Sequence, residues 1–89
     1  MEEDTIPRLV IGQNYFVRDG VDYWIGRLKG VGPHCVYLED AAWIASTGRL
    51  HIFMREGSAP NMEVEIHGDV CVQWRTWSVW KHPLFKESV

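Results

Sequence analysis

The stretch EVEIHGDVCVQWR, Glu63 to Arg75, decides the fold class. Val64, Ile66, Val70, Val72 and Trp74 occupy even positions, with Glu63, Glu65, His67, Asp69, Gln73 and Arg75 between them. Apolar residues at every second position fit a strand with one buried and one wet face. Gly68-Asp69 interrupts the alternation midway. It predicts either a tight hairpin or one long strand bent at Gly68, as a small barrel bends to turn a corner.

Upstream, LVIGQNYFVR (Leu9 to Arg18) is rich in β-branched and aromatic residues, and Asp19-Gly20 signals a two-residue hairpin before a second β-rich run, Val21 to Leu28. KGVGP, Lys29 to Pro33, reads as a turn or a strongly bent strand. His34 to Glu39 resumes the alternation, with His34, Val36 and Leu38 on one face and Cys35, Tyr37 and Glu39 on the other. EDAAWIA, Glu39 to Ala45, is less β-like, because paired alanines suit a helix or a strand tucked under a close neighbour. Ser46-Thr47-Gly48 stands where it would cap a short helix: Leu50, Phe53 and Met54 fall at i, i+3 and i+4, and Gly57 sits at the C-terminal cap. The rival is a strand alternating Leu50, Ile52 and Met54, and the helix is the preferred reading. Gly57 to Asn61 is a loop, and the chain turns irregular after Pro83. The resulting expectation is a mainly β protein: a small antiparallel barrel of four to five strands with one short helix. Residues 1–8 form a flexible lead-in, 9–85 a single domain and 86–89 a flexible tail.

Eighty-nine residues suffice for one modest core and exclude a multidomain enzyme. An apolar share of 46% with 24% charged residues excludes disordered, collagenous and coiled-coil chains. Lys+Arg of 9 against Asp+Glu of 12 gives a net charge of −3, so nucleic-acid contact needs a local basic patch. No transmembrane run is present, and Met1-Glu2-Glu3-Asp4 is acidic where a secretory signal is basic, which points to the cytoplasm and away from membranes. Cys35 and Cys71 form no CxxC pair and read as reduced thiols in or near strands. Five Trp stand against three Phe and three Tyr, an unusual use of indole.

VYLEDAAWIASTGR, Val36 to Arg49, with GRLKGVG before it and WKHPL near the end, resembles a family of short uncharacterised proteins of phages and prophages. That likeness covers most of the chain. It implies a viral or prophage origin, the cytoplasm of an infected or lysogenic bacterial host, and little about chemistry. YWIGRLKGVGPHCVYLEDA is similar in order and character to the first signature of the Sm-like barrel family, which includes RNA-binding rings. IHGDVCV, Ile66 to Val72, looks like that family's second signature, an Ile-Arg-Gly followed by alternating β-branched residues. The chain departs from the pattern in several places. One residue is inserted between Gly20 and Gly26, the connecting loop is about one residue short, His34 has no neighbouring Asp and Asn to hold a uracil, and His67 replaces the Arg. The resemblance implies an SH3-like or Sm-like barrel assembled as a homo-oligomer, and the fold survives these departures better than RNA binding does.

In that family His34 matches the position that stacks a base, whereas in itself it is a solvent-facing His at a strand start. Arg27, Lys29, His34 and His67 gather on one rim if the strands pair as in the family, and otherwise form a scattered solvated face. Trp74, Trp77 and Trp80 recur every third residue, interleaved with Arg75 and Lys81. On an extended segment with three residues per turn they would line one face as a stacking platform for bases or a prolyl peptide, but plugging a barrel end or a subunit interface is the preferred reading. Trp24 and Trp43 are assigned to the core.

His34, Cys35, His51, His67, Cys71 and His82 offer soft ligands, with His67 and Cys71 on one face, yet no zinc-like spacing appears. Glu39 and Asp40 are adjacent, so in a strand they point to opposite faces and cannot work as a pair. Neither Ser46 nor Cys35 lies in a nucleophile motif, and Gly26, Gly30 and Gly32 introduce no helix as phosphate loops do.

The expectation is therefore a non-enzymatic, phage-encoded, homo-oligomeric protein without metal or cofactor. It sequesters a nucleotide-type ligand, short RNA or a nucleotide second messenger, in an anti-defence role. Arg27 and Lys29 would meet phosphates, His34 and His67 the base, and Trp77 would serve as a platform, with Trp74 and Trp80 at the subunit interface. The alternative is a protein-interaction module that inhibits a host defence protein through a tryptophan-rich surface.

Overall fold

The computed structural model describes residues 9–20, 22–73 and 76–86. Residues 1–8 and 87–89 of the expected lead-in and tail, with Trp74 and Arg75, lie outside the described residues. Among the described residues five strands, β1 (Asn14–Asp19), β2 (Asp22–Val31), β3 (Cys35–Ser46), β4 (Glu63–Gln73) and β5 (Thr76–Val79), form one antiparallel sheet in the order β4-β3-β2-β1-β5. One short helix, α1 (Leu50–Glu56), completes the expected mainly β, barrel-like architecture.

The first hairpin forms near Asp19-Gly20 as expected, but Asp19 still pairs with Asp22 as the last residue of β1, so the turn falls one position later than the expected Asp19-Gly20. EDAAWIA is strand throughout, for Ala41 and Ala42 are buried where β3 is pressed between β2 and β4. Helix α1 forms where Leu50, Phe53 and Met54 place it, but its start differs from the expected one. Its N-cap is Arg49, which makes no side-chain cap bond, rather than Ser46 to Gly48. Gly57 ends it at φ +81, its N–H donating to the Phe53 carbonyl at 2.8 Å.

The sheet has two cores on opposite faces. Tyr15, Val17, Leu28, Val36, Leu38, Ala41 and Val72 form the first. Val72 belongs to β4 and Tyr15 to β1, with β3 and β2 between them in the sheet, so the sheet curls to enclose this cluster on its inner face. Phe16, Ile25, Ala42, Ile44 and Val64 point to the outer face, where α1 supplies Phe53 and the C-terminal segment supplies Trp80. That segment is a strap: Trp80, Leu84 and Phe85 pack on the second cluster, and the His82 ring nitrogen donates to the Met54 carbonyl at 2.9 Å.

Beta-bulges move the strands from one core to the other. Leu38 pairs with Val70, Ala41 with Gly68 and Ala42 with Ile66, leaving Glu39 and Asp40 against Asp69, and His67 as an extra residue. Asp40 (φ +51) and Gly68 (φ +91) take left-handed conformations there. One extra residue inverts the side-chain alternation. Val64 and Ile66 therefore serve the outer core, and Val70 and Val72 the inner one, although all four are even-numbered. Gly68 bends one long strand, the second of the two sequence readings, and the single buried face expected of the alternation becomes two.

Candidate functional site

Alternation along β3 puts Cys35, Tyr37 and Glu39 on the outer face, opposite Val36 and Leu38. Around the curled half of the sheet none of the described residues covers this face: Tyr37 is 44% exposed. The register steps from Leu28–Leu38 to Gly30–Tyr37, which leaves Lys29 as an extra residue of β2. Gly30 and Gly32 form a floor without side chains beneath the Tyr37 ring, since a Cβ on either would lie 3.6 or 3.3 Å from it. A groove of about 490 Å³ runs beside the ring, lined by Lys29, Gly30, Tyr37, Leu38, Asp69, Val70 and Cys71.

Lys29 lines this groove, Arg27 lies two residues earlier on β2, and carboxylates hold both. Arg27 Nε donates to Glu39 Oε2 at 2.7 Å and its Nη2 to Asp40 Oδ2. Lys29 Nζ donates to Asp69 Oδ2 at 3.0 Å. The hydrogen bond to Glu39, then that to Asp40, raises the Arg27 pKa, and the bond to Asp69 raises that of Lys29. Both cations stay charged, but two positive charges face three negative ones, so the cluster is net −1. Glu39 and Asp40 were expected to diverge. They converge on one guanidinium because the left-handed backbone at Asp40 breaks the alternation that would separate them. A second groove, of about 630 Å³, lies between Arg27 and Asp40 on one side and Pro83, Leu84 and Phe85 of the strap on the other.

The other expected ligand residues do not join Arg27 and Lys29. His67 is exposed, its ring edge-on to Trp24 of the inner face at 5.2 Å between centroids and its Nε2 2.8 Å from Glu65 Oε1. It therefore does not share a face with Cys71, because the bulge at Gly68 separates them. His34 is exposed in the loop between β2 and β3. Trp77 packs against the inner core, in a row across the sheet that runs Trp77, Val17, Trp24, Trp43. Trp80 is 2% exposed inside the outer core, and its Nε1 donates to the Pro83 carbonyl at 3.1 Å. Trp77 lies on a strand and Trp80 just beyond its end, so three residues of separation send the indoles to opposite faces rather than along one. Trp24 and Trp43 are half-buried.

Tyr37, Gly30, Gly32 and Asp69 escaped the sequence reading as site residues, and Cys71 entered it only as a soft ligand without zinc-like spacing. The signal available was an aromatic residue on the polar side of an alternating strand, facing a Gly-x-Gly pair. Among the described residues no group of three or more His, Cys, Asp or Glu could hold a metal ion. None of the helices described is long and apolar enough to cross a membrane. No protein-family model, no curated protein and no solved structure matches the chain.

Proposed function

We propose that this protein is a non-enzymatic protein-interaction module that docks through the uncovered outer face centred on Tyr37. The observation that carries the reading is the pairing of Arg27 and Lys29 with Glu39, Asp40 and Asp69 beside an exposed aromatic ring. With its cations already held by carboxylates, a cluster of net −1 repels a phosphate ligand more than it attracts one. The same cluster complements a basic partner, and Tyr37 beside a shallow apolar groove suits the anchor side chain of a protein surface. The occupant is a partner protein that presents an apolar or aromatic residue flanked by Lys or Arg. If the phage likeness holds, that partner is a host protein. The surface is then the Tyr37 face in place of the tryptophan-rich one, because Trp80 is enclosed in the core.

One observation favours the nucleotide reading: Lys29 and Tyr37 line a single groove, where a base and a phosphate would find a ring and an ammonium. The homo-oligomer implied by the barrel likeness belongs to the proposal too, with Val10, Ile11 and Val79, exposed around Tyr15, as its surface.

Panning a displayed random-peptide library on the immobilised protein tests the docking reading. Selected peptides are expected to pair an aromatic or aliphatic residue with Lys or Arg, and to lose binding to Tyr37→Ala and Asp69→Lys variants that melt like the parent. Selectants indifferent to both substitutions overturn it. So does a ribonucleotide that stabilises the protein in thermal melts, loses its effect in Lys29→Met and weakens steeply with salt. Native mass spectrometry of the same preparation reads the subunit number, and a monomer removes the oligomer.

A further inference from the structure

Cys35 and Cys71 come from adjacent strands and meet on the outer face, where neither is disulfide-bonded. Cys71 is exposed and lies opposite Tyr37, while Cys35, two residues before Tyr37, lies opposite Gln73. The two thiols are thus diagonal neighbours, near enough that hydrogen bonding with Cys35 raises the Cys71 pKa. The Tyr37 hydroxyl also bonds to Cys35, and both groups sit over Gly32, where an added Cβ would lie 3.3 Å from the Cys35 sulfur and 3.4 Å from the Tyr37 oxygen. The result is a cluster of two sulfurs and a phenol, open to solvent through Cys71.

We propose that Cys35 and Cys71 form a two-thiolate site for a soft monovalent cation, copper(I) or its chemical analogue silver(I).

Register favours a bridging ion over a disulfide. A disulfide needs Cβ atoms about 3.5–4.5 Å apart, a spacing met by directly opposed residues of an antiparallel pair, whereas diagonal neighbours stand farther apart. A metal held by two sulfur bonds of roughly 2.3 Å each spans such a gap without backbone movement. The donor set selects the ion. Zinc requires four ligands, and among the described residues no group of even three is assembled, whereas a soft monovalent ion is satisfied by two thiolates.

On binding, two S–H bonds break, two sulfur–metal bonds form and two protons leave to solvent, with no change of oxidation state. The bound unit carries one negative charge, and Lys29 lines the groove that Cys71 lines. The Tyr37 hydroxyl then serves as donor to the Cys35 sulfur. The site does not depend on the docking reading, because the sulfurs bind the ion whether or not a partner covers Tyr37.

Anaerobic titration of the reduced full chain with copper(I) held in a colorimetric chelator tests the site, with native mass spectrometry for stoichiometry. One copper per chain is expected. Cys35→Ser and Cys71→Ser variants that melt like the parent each lose it, His67→Ala keeps it, and zinc(II) is not retained. Copper retained by either single-cysteine variant overturns the proposal, as does failure of the parent to take copper from the chelator. If hydrogen peroxide joins Cys35 to Cys71 within one chain while the reduced chain takes no copper, the pair is a redox couple instead.

Discussion

The outer face of this sheet is treated in two ways along its length. In one half Phe16, Ile25, Ala42, Ile44 and Val64 are sealed by Phe53 of α1 and Trp80 of the strap. In the other half Tyr37 and Cys71 stand open to solvent, because the apolar residues there point inward to Leu28, Leu38 and Val72. Where the sheet curls around its own inner face, its outer face stays exposed at Tyr37 and Cys71. Where it opens, a helix and a strap must bury the apolar side chains instead. The bulges at Asp40 and at His67–Gly68 are the border between the two regimes.

Breaking either half separates them. Trp80→Ala or Phe53→Ala removes a buried aromatic from the covered half and is expected to cost about 3–5 kcal/mol. Amide exchange should then speed at Ile25, Ile44 and Val64 before it does at Val36 and Leu38. Equal acceleration at both sets would make the two cores one cooperative unit. Leu38→Ala in the curled half should cost about 2–5 kcal/mol by denaturant unfolding and reverse that order of exchange. The border itself is tested with Gly68→Val. An added Cβ meets nothing within 4 Å there, so the cost, roughly 1–2 kcal/mol, arises from the left-handed backbone rather than from a clash. A melting temperature unchanged by this substitution would show that the bulge does not need φ +91.

Smaller effects belong to the open face. Lys29→Met should leave the thermal midpoint nearly unchanged, because an exposed ion pair contributes little to stability, and a large drop would give the Lys29–Asp69 pair a structural role. The Tyr37 pKa is raised above its ordinary value of 10, first by the hydrogen bond to Cys35 and then by repulsion from that cysteine's charge. A raised folded-state pKa means that this bond's stabilisation is complete below the unfolded value and fades as pH rises through the folded one. Subtracting the alkaline absorbance titration of Tyr37→Phe from that of the parent should give a phenol midpoint above 10, and Cys35→Ala should lower it.

Strand content, the first hairpin, the helix over Leu50 to Glu56 and its Gly57 cap were legible because each follows from spacing within a few residues. Arg27 and Lys29 were legible as cations of one surface, but their neutralisation was not. Asp69 is 40 residues from Lys29 in the chain, and Asp40 reaches Arg27 only because a bulge turns it. Trp80 read as an interface residue because composition cannot tell an indole that seals its own core from one that seals a partner's. Tyr37 was passed over because exposure is a property of what fails to cover a residue, and no local pattern records that.

The sequence by itself determined a mainly β chain, the places where it turns and the helix over Leu50 to Glu56, since backbone preference and alternation act over short stretches. The tertiary structure decided which face each residue serves. One extra residue in β4 inverts the alternation, and even numbering from Val64 to Val72 conceals it, so the border between the two cores exists only once β3 and β4 are paired. The same pairing brings Cys71 to Cys35, carboxylates to Arg27 and Lys29, and leaves Tyr37 uncovered.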